Sequence, residues 1–179
     1  MSFRGSLTSR DQVSVYDFSW PVVLLVPVIA VLIQVFIPVF IPVRVRVLPI
    51  IELPLLVTIF FATARRNPIT GCLTGCFVGL LQDLFAGYNH FLGMYGIALT
   101  LVGYLASSLG VKIDVENPGS RFLITFVFCG VEQGVYYGVA HGMLRQPLQW
   151  SWSHTALAAL TNAVIGIFVF RFLDRFKAR

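Results

Sequence analysis

From Trp20 to Pro42 no side chain carries a charge, and the same holds from Phe91 to Gly110 and, apart from Arg171, from Trp152 to Phe172. Each run reaches the length of about 20 apolar residues that a helix needs to cross the hydrocarbon core of a bilayer. A helix satisfies its backbone polar groups internally, so such runs read as membrane spans. The composition agrees. Of 179 residues, 57 % are hydrophobic and 12 % charged, about half the roughly 25 % charge of a soluble domain. Too little polar surface remains to enclose a water-soluble globule.

Three further segments complete the pattern. Gly119 to Leu144 makes another apolar run, interrupted by Glu132 and Gln133, while Ile50 to Ala64 and Ile69 to Ala86 are separated only by Arg65-Arg66-Asn67-Pro68. That tetrapeptide reads as a tight turn between antiparallel spans. The expected fold is therefore an all-α polytopic membrane protein of six transmembrane helices, with both termini cytoplasmic. A five-span alternative treats the short Ile50 to Ala64, which carries Glu52 and Pro54, as re-entrant. Charge placement favours six. Arg4, Arg10, Arg65, Arg66, Lys112, Arg121, Arg171, Arg175, Lys177 and Arg179 then share the cytoplasmic side, ten of the 13 basic residues, leaving Arg44, Arg46 and Arg145 outside.

The expected organisation is a cytoplasmic N-terminal segment (1–19), a single six-helix domain (20–172) and a basic cytoplasmic tail (173–179). The first apolar run exceeds a secretory signal core and lacks a small-x-small cleavage site, so it is read as a retained span. After it, Pro38, Pro42 and the Val-Arg alternation of 43–47 suit a short extended piece on the outer face.

At about 100° per residue, Gly71, Gly75 and Gly79 share one arc of the third run, on which Gln82 also projects and which Asp83 extends. Leu73, Phe77, Leu80 and Leu84 occupy the opposite, bulky side. Gly93, Gly96, Thr100, Gly103, Ser107 and Gly110 share an arc in the next run; Gly130, Gly134, Gly138 and Gly142 form an every-fourth seam in the fifth. Lipid tails are as apolar as leucine, so helices associate in a bilayer through close packing and hydrogen bonds, and small residues permit the approach. Runs three to five are expected to form a compact bundle, with the seams serving intramolecular packing first and docking of a partner's span second.

A carboxylate at the bilayer centre costs about 2.5–3.5 kcal/mol on the insertion scale and normally faces protein or water. Glu52 and Asp83 are expected near the outer ends of their spans, either at a functional contact or touching interfacial water. Glu132 falls midway along the fifth run, with Asn162 or Thr161 as candidate hydrogen-bond partners. A proton-linked carrier would need a chain of such groups, and only scattered ones are present. A small ligand held between the outer ends, around Asp83, Asn89, His90 and Trp150, is the binding-subunit alternative.

Other function classes find little support. The basic excess lies between the spans, where it orients the chain, and does not point to nucleic acid. Cys72, Cys76 and Cys129 lie within apolar runs without finger spacing, and no nucleophile–base set or phosphate loop appears. No enzyme, metal site or cofactor is expected.

Glu52-Leu-Pro-Leu-Leu, an aromatic-rich span, Arg65-Arg66, then Gly75-x3-Gly79-Leu-Leu-Gln-Asp83-Leu-Phe-Ala-Gly87-x5-Gly93, and finally Leu101-Val-Gly-Tyr-Leu-Ala106 resemble the bacterial rod shape-determining MreD family. The resemblance is clear over about Ile50 to Gly110. It implies a multi-pass protein of the bacterial inner membrane that regulates cell shape and peptidoglycan synthesis. It also implies MreC as direct partner, with MreB, RodA and the penicillin-binding partner of RodA in the same elongation complex. The family is similar in fold to S-components of energy-coupling-factor transporters, but the Ala-x3-Ala seam those present on their first span is absent here, where Trp20 to Pro42 contains only Ala30. Gly71, Gly75, Gly79, Gln82, Asp83, Gly87, Gly93, Gly130, Gly134 and Gly138 are the expected seams for partner or structural contact; Glu52, Glu132 and Asn162 are the expected intramembrane polar groups. Membrane lipid is a further partner, and a homodimer stays open.

Overall fold

The computed structural model describes residues 18–40, 50–85, 91–113, 115, 117–143 and 150–176. Among them the chain is all-helical: α1 (Trp20–Phe40), α2 (Leu53–Arg65), α3 (Pro68–Phe85), α4 (Met94–Gly110), α5 (Pro118–Gly142) and α6 (Trp152–Leu173), closed by a 3-10 turn at Asp174–Phe176. Three helical stretches, Pro68–Phe85, Pro118–Gly142 and Trp152–Phe176, are long and apolar enough to cross a membrane. The Val-Arg alternation, Gly87, Asn89 and His90 lie outside the described residues.

Local chemistry sets several boundaries. Two Asn-Pro pairs start helices. Asn67 accepts from the Ile69 N–H (3.0 Å) ahead of α3, and Asn117 accepts from the Gly119 N–H (2.9 Å) ahead of α5. In each case proline occupies the first helical position, where its missing N–H costs nothing. α2 ends as Arg66 turns left-handed (φ 54°), its N–H donating to the Ala62 carbonyl. The four residues Arg65 to Pro68 thus reverse the chain between α2 and α3.

α2 is the pillar. Every residue from Pro54 to Ala64 is buried, and the helix touches all five others. At 13 residues it extends about 20 Å, short of a hydrocarbon core of about 30 Å. A helix apolar all round is stable only when surrounded, and here the surround is protein. Phe61 packs edge-on to Phe18 (5.1 Å) and Phe60 (5.6 Å), a geometry that suits the ring quadrupoles.

Much of the outside is apolar, and part of the inside is polar. Leu24, Ile29 and Ile33 of α1, Leu73 and Leu84 of α3, and Leu157 and Phe168 of α6 are all exposed. Asp83, Glu132, Asn162, Thr58, Ser107 and Arg121 are buried. An apolar exterior over a partly polar core is the arrangement of a protein solvated by lipid. Arg121, at the start of α5, donates to Asp174 (2.7 Å) and to the Val115 carbonyl (2.7 Å) and lies 5.9 Å from the Phe170 ring. It thereby ties the start of α5 to the end of α6.

Candidate functional site

The glycines of α3 are consumed by α4. A Cβ at Gly71 would overlap the Gly103 carbonyl and Ser107 Oγ, one at Gly75 the Leu99 carbonyl, and one at Gly79 the Tyr95 carbonyl. The two helices run antiparallel, so steps of four down α3 meet steps of four back along α4. Backbone touches backbone along the whole seam, which is the contact that small residues make available. Leu73, Phe77, Leu80 and Leu84 face outward as the helical wheel requires. Val78 of the same helix is wholly buried, and α3 also packs against α2 and α1.

Asp83 completes this seam. Its Oδ2 accepts from the N–H groups of Gly93 (2.9 Å) and Gly96 (2.9 Å), and its Oδ1 from that of Tyr95 (3.1 Å). These are donors at the start of α4 that no helical carbonyl can reach. A carboxylate there also meets the positive end of the helix dipole. The side chain is only 3 % exposed, so Asp83 neither reaches out to interfacial water nor offers its oxygens to a ligand; it caps α4 from the neighbouring helix. Gly93 sits at φ 100°, a conformation that glycine tolerates best. Gln82, which precedes Asp83 in the chain, is half-buried.

A second polar cluster forms where α2 begins. The Glu52 N–H donates to Asn162 Oδ1 (2.8 Å) and the Leu53 N–H to Gln34 Oε1 (3.2 Å). Asn162 Nδ2 donates to the carbonyls of Ile50 (2.8 Å) and Ala158 (3.0 Å). Side chains of α1 and α6 therefore satisfy the buried start of α2. Gln133 Nε2 donates to the Glu52 carboxylate (3.2 Å), and Cys129 lies 3.9 Å from it. Glu132, on α5, approaches that carboxylate within hydrogen-bonding distance.

The sequence placed these groups separately. Glu52, expected at an outer end, and Glu132, expected to pair with Asn162 or Thr161, face one another, and the Asn162 side chain is occupied with Glu52, Ile50 and Ala158. Residues this far apart in the chain carry no mutual signal in one sequence. The role of Gln34, likewise, was legible only as a polar residue within an apolar run. Beside the cluster lies a cavity of about 410 Å³, within the range of small-molecule sites. Glu52, Glu132 and Gln133 line it together with Tyr95, Tyr136, Tyr137 and Trp150. Trp150, named with Asp83 for the ligand alternative, is thus in a cavity that Asp83 does not line.

The α5 glycines behave differently from those of α3. A Cβ built at Gly130, Gly134, Gly138 or Gly142 meets nothing within 4 Å. The compact packing expected of this seam is not found among the described residues, although α4 and α6 both pack against α5. Gly134 and Gly138 are exposed, and Leu123 and Val127 continue the same face toward the start of the helix. Among the described residues, no group of three or more His, Cys, Asp or Glu side chains is placed to hold a metal.

A family model described as rod shape-determining protein MreD matches residues 16–176. No curated protein and no solved structure gives a significant match.

Proposed function

The chain belongs to the MreD family of rod shape-determining proteins, and from that membership we propose that it is a non-enzymatic scaffold of cell elongation whose α5 face receives the single span of MreC. In this reading all six helices lie in the inner membrane, with both termini cytoplasmic, as the distribution of basic residues favours. MreB, RodA and the penicillin-binding partner of RodA belong to the same assembly, and lipid covers the remaining apolar surface.

The observation that carries the proposal is the unused α5 seam. Glycine in a helix interior costs about 0.5–1 kcal/mol relative to alanine. In α3 that cost is offset by close packing against α4, whereas among the described residues nothing offsets it in α5. A partner helix lying along Gly130, Gly134 and Gly138 would do so, in the way that small residues support helix pairs in lipid.

The test is co-purification with MreC in mild detergent. Gly134→Leu and Gly138→Leu fill the groove and are expected to lower MreC recovery sharply. Val164→Leu, on the exposed side of α6, should leave it unchanged. If folded Gly134→Leu protein retains MreC at the wild-type level, the docking face is elsewhere; if it loses self-association instead, the seam serves a homodimer.

A further inference from the structure

The cavity beside Glu52 and Glu132 is chemically unlike a helix-docking surface, and it points beyond a scaffold. Glu132 is 2 % exposed and its Oε2 has no hydrogen-bond partner. Trp150 Nε1 is likewise buried without one. Both residues line the same cavity. An acceptor and a donor are therefore left unpaired within two residues that line one space, and each unpaired buried polar group costs about 1–3 kcal/mol. Unpaired groups elsewhere in the core, such as Thr125 Oγ1, do not line this cavity.

The walls select the kind of molecule that would pair them. Two carboxyl groups lie within hydrogen-bonding distance of each other, and among the described lining residues there is no Lys or Arg; His154 is the one basic side chain present. Aromatic rings held by one another line the same space: Tyr95 and Tyr136 with centroids 4.8 Å apart, and Tyr137 edge-on to Trp150 at 5.2 Å. Carboxylate oxygens together with aromatic faces favour a cation. The oxygens accept its N–H groups, and the ring quadrupoles attract its charge. The Trp150 N–H asks in addition for an acceptor on the same molecule.

We propose that this cavity binds a small organic cation with an ammonium group for Glu132 and an oxygen acceptor for Trp150. An amine dissolved in water and the headgroup of an aminophospholipid both carry that chemistry. The proposal does not depend on the scaffold reading, since it concerns residues of α4, α5, the start of α2 and the start of α6, none of them an α5 glycine.

The test uses the full chain, delipidated in a non-amine detergent, and calorimetric titration with tyramine, 4-ethylphenol and 3-(4-hydroxyphenyl)propionate. These share a phenol and differ in having an ammonium, no charge or a carboxylate. In parallel, the protein is reconstituted into discs of phosphatidylethanolamine or of phosphatidylglycerol, and retained lipid is counted by native mass spectrometry. Saturable binding of tyramine alone supports a soluble amine. Selective retention of phosphatidylethanolamine supports the headgroup. In either case Glu132→Gln, which keeps the shape and removes the acidic group, should weaken binding by about tenfold or more. Trp150→Phe, which keeps a ring and removes the N–H, gives a second reading should Glu132→Gln fail to fold, and should also weaken it. The proposal is overturned if neither tyramine nor phosphatidylethanolamine is preferred over its controls, or if folded variants bind as the wild type does.

Discussion

Replacing Asp83 tests the capping of one span by another. Three backbone N–H groups converge on its two oxygens at 2.9–3.1 Å in a site that is nearly closed to solvent. Asp83→Ala removes all three acceptors and leaves the start of α4 unpaired. Interhelical hydrogen bonds in bilayers average about 0.6 kcal/mol, and bonds to a charged group in soluble proteins contribute about 1.5–3 kcal/mol. Three bonds of intermediate strength give an expected loss of about 2–4 kcal/mol. Asp83→Asn retains one acceptor oxygen. Oriented to keep the Gly93 and Gly96 bonds, its amide would present a donor to the Tyr95 N–H, so an intermediate loss of about 1–2 kcal/mol is expected. Reversible unfolding in dodecyl sulfate mixed micelles, followed by far-UV circular dichroism, measures both. An Asp83→Ala variant within about 0.5 kcal/mol of wild type would falsify the capping argument, as would an Asn variant less stable than the Ala one.

The glycines should separate into three classes in the same assay. Gly75→Ala drives a methyl into the Leu99 backbone and should cost at least about 1–3 kcal/mol or prevent folding, with Gly79→Leu worse. Gly93→Ala meets no neighbour but must hold φ 100°, so a cost of about 1–2 kcal/mol is expected from backbone strain alone. Gly130→Ala and Gly134→Ala should be neutral or stabilise the isolated protein by up to about 1 kcal/mol; destabilisation would mean that the seam is packed after all. Asn162→Leu should cost about 2–4 kcal/mol, because it leaves the Glu52 N–H and the Ile50 carbonyl without partners; an unchanged unfolding midpoint would remove Asn162 from the support of α2.

Periodicity and charge made much of the fold legible. The apolar runs correspond to α1 and α3 to α6 with ends shifted by a few residues, and the Gly71, Gly75 and Gly79 arc is the surface that α4 covers. α2 was harder to read. Its sequence resembles a short span, but its environment is protein on every side, which no single-helix pattern specifies. The Asn67-Pro68 and Asn117-Pro118 starts are local chemistry, available to anyone reading the chain. Asp83 shows where such reading stops: its angle placed it beside the glycines, but only the approach of α4 reveals that its oxygens are filled by N–H groups.

By itself, the sequence determined a helical membrane protein, the α3 surface that must pack closely, and the family motif, because these follow from hydropathy, helical angle and residue size. It could not decide between two identical-looking glycine seams. The α3 seam is buried against backbone and the α5 seam is open, since that depends on which helices become neighbours. Nor could it bring Glu52 to Glu132 or set both beside an aromatic cavity. Such contacts join residues with no local relation, and they arise only when α2, α4, α5 and α6 converge.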